Sequence, residues 1–277
     1  MRTTTFRLLL AVVLIVSLAP GLSGPAAQPS PIKIGFVTDL TGAAAQAAKD
    51  MVNGLTLYLD EIGHQMAGRK VELIVEDSQA RPDMTLTKPR KLVEHDRVHL
   101  VAGVLFGHIG YAMAPKVEAY KIPGLFTVAA SDDLTQRRKY RWVIRTGWAS
   151  SQPSHPFGEY VARTLGHRKV AVIGSDYAFG WEVVGGFQRS FEEAGGQVVQ
   201  RLWAPLGAMD LAPYIAQLRR DADAVMTMVA GASTLQFFKQ YAEAGLKGRI
   251  ALLAGGPAID EAFLRRWATR RWGWSAR

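Results

Sequence analysis

The chain has 277 residues, 48% of them hydrophobic, no cysteine and a formal charge of +9. Without cysteine there is no disulfide framework, no thiolate metal site, no cysteine nucleophile and no lipid-anchored cysteine. The charge is not a nucleic-acid signature: two arginines sit in an apolar leader and five in residues 265–277, and setting these seven aside leaves 26 basic residues against 24 acidic ones. A body so near neutrality offers no broad face for phosphates, and no nucleic-acid partner is expected.

Residues 1–26 read as a secretory signal. Arg2 and Arg7 form a basic start, residues 8–18 are almost unbroken apolar sequence, and Gly24-Pro25-Ala26-Ala27 supplies small residues for cleavage. That apolar core is shorter than the roughly 20 residues a spanning helix needs. The expectation is export to a periplasm, with cleavage after Ala26.

Strands and helices then alternate. Ile32-Lys33-Ile34-Gly35-Phe36-Val37 is an apolar strand, followed by a helix over residues 43–62 with Met51, Leu55, Leu59 and Ile62 on one face. Strands follow at 71–75, 99–105 and 122–128, with helices at 85–93 and 111–120 between them. After a pause of about 25 residues the pattern restarts. Strands are expected at 170–174, 198–203, 224–229 and 250–254, and helices at 181–194, 211–220 and 235–244. Short apolar strands, each followed by a helix, indicate parallel sheets covered on both faces. Two such series give an α/β protein of two doubly wound parallel-sheet lobes. Residues 27–147 make the first lobe and 148–253 the second, with 147–156, rich in Ser and Pro, as the crossing.

A ligand cleft is expected between the lobes, because open α/β sheets bind at the carboxyl ends of their strands. Small and polar residues gather at those ends. Phe106 runs into Gly107 and His108, Val128 into Ala129, Ala130 and Ser131, Gly174 into Ser175, Asp176 and Tyr177, and Val229 into Ala230 and Gly231. Gly107 permits close backbone approach, and the helix after it aims free amides at the cleft, which suits a carboxylate. Ser131 adds a hydroxyl and Ala129 a carbonyl. Ordinary βα turns also favour Gly, Ser and Asp, so both readings stand on pattern alone.

Enzyme motifs are missing. The six histidines are scattered, with no His-Glu-x-x-His helix. There is no Gly-x-x-x-x-Gly-Lys-Ser/Thr loop and no Gly-x-Ser-x-Gly elbow, and Gly103, Gly107 and Gly110 have the wrong spacing for a dinucleotide. Asp132-Asp133 reads as a helix start or turn, Glu76-Asp77 as a cleft edge or cap, and Arg137, Arg138, Lys139 and Arg141 as a solvated turn. No catalytic residue, metal or cofactor is expected.

The order and spacing of several segments carry a resemblance. They are Ile34-Gly35-Phe36-Val37-Thr38-Asp39-Leu40-Thr41-Gly42, Val75-Glu76-Asp77, Val101-Ala102-Gly103-Val104, Ala129-Ala130-Ser131, Arg145-Thr146, Asp176-Tyr177-Ala178-Phe179-Gly180 and Gly245-Leu246-Lys247. From about residue 32 to 258 the chain resembles periplasmic solute-binding proteins of the leucine/isoleucine/valine-binding type. These are the receptors of branched-chain amino acid ABC importers, with the type I periplasmic binding protein fold. The resemblance implies a monomer that closes on a small organic solute and delivers it to permease subunits in the inner membrane. A ligand-sensing domain of the same fold is the alternative.

By the same resemblance, Gly107-His108 and residues 129–131 match the carboxylate site, Gly107 standing where a serine is usual. Tyr177 matches a cleft aromatic of the second lobe. The family's ammonium clamp has no counterpart: Leu253-Ala254-Gly255-Gly256 and Ala230-Gly231 occupy those places, and Ala47 stands where a large aromatic can occur. The expected ligand has a carboxylate or amide, an apolar or aromatic body and no α-amine.

Residues 254–277 begin a return to the first lobe and end in a tail with four arginines and three tryptophans in its last twelve residues. That tail reads as the product of a shifted reading frame, leaving the fold incomplete at the C-terminus.

Overall fold

A computed structural model describes residues 29–42 and 44–259. The expected signal segment and the basic tail lie outside the described residues.

Six strands build the first sheet and four the second. In the first lobe β1 (Ile32–Thr38), β2 (Gln65–Met66), β3 (Arg69–Asp77), β4 (Leu100–Gly103), β5 (Gly124–Phe126) and β6 (Val143–Arg145) alternate with α1 (Ala45–Glu61), α2 (Pro82–Arg90) and α3 (Gly107–Tyr120). The second lobe holds α4 (Ser154–Arg163), β7 (Lys169–Ser175), α5 (Ala178–Glu193), β8 (Gln197–Ala204), α6 (Ala212–Ala216), β9 (Ala224–Met228), α7 (Ser233–Glu243) and β10 (Ala251–Ala254). The sheet orders are β2-β3-β1-β4-β5-β6 and β10-β9-β7-β8. All pairings are parallel except the β2–β3 hairpin.

These orders locate the cleft. The chain leaves β1 for β3 on one side, then crosses to β4 on the other. It leaves β7 for β8, then crosses to β9. Helices from adjacent strands therefore fall on opposite faces, and a crevice opens at the carboxyl ends of β1/β4 and of β7/β9. The central strands are apolar on both faces because both faces are covered: the last five residues of β1 and the last six of β7 are buried.

The structure corrects several expected boundaries. The pause before the second lobe contains β6 and α4. β6 has only three residues and was hidden by its short length. Pro153 and Pro156, read as marks of the crossing, stand at the N-cap and in the first turn of α4, where no helical N–H partner is lost. Residues 146–153 lie between β6 and α4. The helix expected over 211–220 is regular only over Ala212–Ala216. In α2, Pro89 sits inside the helix, and the backbone widens into a π turn over Lys91–His95. Ala47 is exposed on α1, whereas its neighbour Ala48 is buried.

Buried residues of the two lobes form a contiguous apolar set: Phe106, Ala129 and Ala130 of the first belong with Tyr177, Phe179 and Ala230 of the second. Within the second lobe α4 packs closely on α5. A β-carbon at Gly158 would collide with Ser190 Oγ and Phe187 O and come within 2.8 Å of Phe191 N. Gly185, on the exposed side of α5, has nothing within 4 Å. Gly158→Ala is expected to cost at least about 2 kcal/mol through overpacking and to lower the melting temperature by about 4–8 °C. Gly185→Ala should raise it, since alanine is favoured over glycine in a helix by about 1 kcal/mol. Paired thermal melts by circular dichroism check both signs.

Candidate functional site

The first lobe's half of the site begins with strain. β4 ends in Gly103 at φ +100°, and Val104 follows it at φ +66°. A β-branched residue in the left-handed region is a genuine outlier, costing about 1–3 kcal/mol. Hydrogen bonds on both sides hold Val104 there: its N–H donates to Val37 O at 2.7 Å and its carbonyl accepts from Ala129 N at 2.9 Å. A side chain at Gly103 would run into Val37 O. The twist turns the chain sharply into Phe106, the N-cap of α3, and Gly107, its first residue.

No side chain caps α3, so its first amides lack helical acceptors and carry the positive end of the helix dipole. Ser131 fills the space a β-carbon would take at Gly107. Its hydroxyl is fully buried, without a partner among the described residues, and would collide with any side chain placed at residue 107. A buried hydroxyl at an uncapped helix start is a donor and an acceptor awaiting a guest. An anion there receives the amides and the hydroxyl together.

Three rings cover this pole. Phe106 stacks on His108 with centroids 5.5 Å apart, and the edge of Tyr177, from the other lobe, meets both at 5.7 and 5.9 Å. Phe179 and Trp148 continue the line at 6.0 and 5.8 Å. Tyr177 is the N-cap of α5 and nearly fully buried, and burial alone pushes its phenol pKa up.

Not every expected site residue is free to bind. The Ala130 carbonyl is committed to the fold, accepting from Ser150 N at 2.7 Å, Ser150 Oγ at 2.8 Å and Arg145 Nη1 at 2.9 Å. Ala129 is buried beneath Gly110, whose β-carbon would lie 3.1 Å from its own. The Ala230 N–H donates to Ser175 Oγ at 3.1 Å, and Gly231 forms the left-handed turn (φ +67°) before α7. These two lie at the second crevice, at the end of β9, and present little but backbone. Asp132 and Asp133 start a 3-10 turn. Glu76 pairs with Lys88 and Lys91 at 2.7 and 2.6 Å. Asp77 binds Leu40 N and Thr41 Oγ1, pinning the β1–α1 loop. Arg137, Arg138, Lys139 and Arg141 are exposed.

Sequence reasoning missed four polar groups. Ser233 Oγ, at the start of α7, is buried and unpartnered. Asp39, at the end of β1, is fully buried. Tyr111 and Glu182 join the lobes: Tyr111 Oη donates to Glu182 Oε1 at 2.6 Å and accepts from Asp133 N at 3.2 Å, and Asp132 N donates to Glu182 Oε2 at 3.1 Å. Helix spacing was the available signal. Tyr111 lies one turn beyond His108, and Glu182 one turn into the helix that follows Tyr177.

Among the described residues no group of three His, Cys, Asp or Glu could hold a metal ion, and no helix is long and apolar enough to cross a membrane.

Two α/β lobes, each with a switch point at the carboxyl ends of its central strands, are matched by what sequence comparison finds. Residues 31–268 match the family model described as periplasmic binding protein, and the chain belongs to that family. It is 30% identical over 247 residues to the Leu/Ile/Val-binding protein homolog 6 of Brucella melitensis, covering 88% of this chain and 63% of the relative. It therefore spans less than two thirds of that relative's length. Among solved structures it is similar to an ABC transporter substrate-binding protein from Sphaerobacter thermophilus (35% identity, TM-score 0.76, 85% of this chain and 65% of the other). It is also similar to a solute-binding protein of an ABC transporter from Rhodopseudomonas palustris in complex with 3,4-dihydroxybenzoic acid (31% identity, TM-score 0.78, 84% and 64%).

Glu182 supplies a pH test. Burial raises its pKa, the nearby Asp132 adds to the rise, and hydrogen bonds from Ser150, Tyr111 and Asp132 N only partly offset it. The folded state thus holds this proton more tightly than the unfolded chain does. The resulting stabilisation is complete below the ordinary value of 4.5 and is lost as pH rises through the raised one. Glu182→Gln removes this dependence. Denaturant titrations from pH 4 to 7 should show the wild type losing stability relative to the variant as pH increases.

Proposed function

We propose that the chain acts outside the cytoplasmic membrane as the solute-capturing protein of an ABC importer, binding a small aromatic carboxylate by lobe closure and presenting it to permease subunits. The observation that carries this reading is the unpartnered, buried Ser131 hydroxyl at the uncapped start of α3. It marks an anion pole, and the Phe106, His108 and Tyr177 rings beside it favour an aromatic body over a branched aliphatic one. The Rhodopseudomonas palustris relative was solved with an aromatic acid, which supports the same class. The name of the Brucella melitensis relative points to branched-chain amino acids. Against them stands the second lobe: Ala230, Gly231, Leu253 and Ala254 supply no carboxylate at the ends of β9 and β10 for an α-ammonium. An unpaired buried ammonium costs several kcal/mol, on the order of 100-fold or more in affinity.

Titration calorimetry with benzoate, 4-hydroxybenzoate, leucine and valine tests the proposal. The aromatic acids should bind at least about 100-fold more tightly than either amino acid. Ser131→Ala should weaken them by about tenfold or more, the loss of one hydrogen bond to a charged group. Tight binding of leucine or valine, or no binding of any aromatic acid, would overturn it.

A further inference from the structure

The anion pole accounts for Ser131 but not for two other buried polar atoms near the carboxyl ends of the first sheet's strands. Asp39 stands immediately after β1, and His108 on the first turn after β4, the two strands that flank the first switch point. Asp39 is fully buried. Its Oδ1 accepts from Ser78 Oγ and, at 2.7 Å, from Ala80 N. Its Oδ2 is buried with no partner among the described residues. His108 Nε2 lies 3.2 Å from Ala80 O. A carbonyl only accepts, so Nε2 carries a proton, and in that tautomer Nδ1 is a bare acceptor. That atom too is buried and unpartnered.

Ala80 ties the two groups together, its N–H on Asp39 and its carbonyl on His108. The His108 ring begins at the start of α3 and ends against Ala80, so the Asp39 carboxyl is reached by going past the ring, away from the helix amides. Two acceptors without donors, fixed through one backbone residue, form a second polar pole. A buried unmatched acceptor is costly unless something donates to it.

We propose that Asp39 and His108 read an O–H donor on the ligand's aromatic ring, so that the cleft selects hydroxylated aromatic carboxylates over unsubstituted ones. This rests on the carboxylate reading of the Ser131 pole. An ammonium fits this second pole poorly. It brings three donors to two acceptors. The burial that surrounds Asp39 also raises its pKa, an environment that disfavours its charged form instead of holding an anion ready for a cation.

The test is calorimetric, on the wild type and on Asp39→Asn, with benzoate, 4-hydroxybenzoate and 4-methoxybenzoate. In the variant the amide oxygen must take the bonds from Ser78 and Ala80, so an N–H₂ replaces Oδ2 and the pole changes from acceptor to donor. A methoxy group accepts but cannot donate. The wild type should bind 4-hydroxybenzoate at least about tenfold more tightly than benzoate, the gain of one buried hydrogen bond. Its preference for hydroxyl over methoxy should fall at least about tenfold in the variant, while benzoate affinity changes by less than about threefold. If benzoate binds the wild type as tightly as 4-hydroxybenzoate, or if the hydroxyl-over-methoxy preference is the same in both proteins, the inference fails and the carboxylate reading stands. If no aromatic acid binds the wild type, both fail. A thermal melt of the variant within a few degrees of the wild type ties any change to the site.

Discussion

The Ser131 hydroxyl reaches the first turn of α3 only because residue 107 has no β-carbon. That single steric allowance decides the chemistry of the first lobe. A side chain at 107 would collide with the Ser131 hydroxyl and expel it from the helix start. The allowance depends in turn on the strained Val104, whose left-handed backbone turns the chain away from β4 early enough for α3 to start at the strand end. Backbone strain held in place by hydrogen bonds to Val37 and Ala129 is the kind of cost proteins carry at sites that work.

The two poles and the ring wall give the cleft a polarity that neither lobe has alone. The first lobe carries the candidate directional groups: the helix amides, Ser131, Asp39 and His108. The second supplies mostly surface, with Tyr177 and Phe179 as its large contributions and bare backbone at Ala230 and Gly231. The polar groups thus lie mostly on one lobe and the large rings are shared between both.

Much of this was legible in the sequence, for identifiable reasons. Buried parallel strands such as Ile32–Thr38 and Lys169–Ser175 are long, apolar and flanked by polar turns, so their position and type could be read directly. β6 could not, because three residues carry no periodicity. α4 was obscured by prolines that are harmless in its first turn. At the candidate site, glycine and serine at strand ends singled out Gly107 and Ser131 for consideration, and the family resemblance singled out Tyr177. Asp39 and Glu182 were invisible because a carboxylate in a sequence looks the same whether it is solvated or buried. Only the packing around them shows an unmatched oxygen in one case and a bond across the cleft in the other.

That bond has a further meaning. Tyr111 and Glu182 grip each other directly, and Asp132 steadies the same carboxylate from the backbone. Donor and acceptor both belong to the chain, so the clasp needs no third group to form. Weakening it would loosen the hold of one lobe on the other and leave Ser131, Asp39 and His108 as they are. What joins the lobes and what lines the candidate site thus reside in different residues and can change independently of each other.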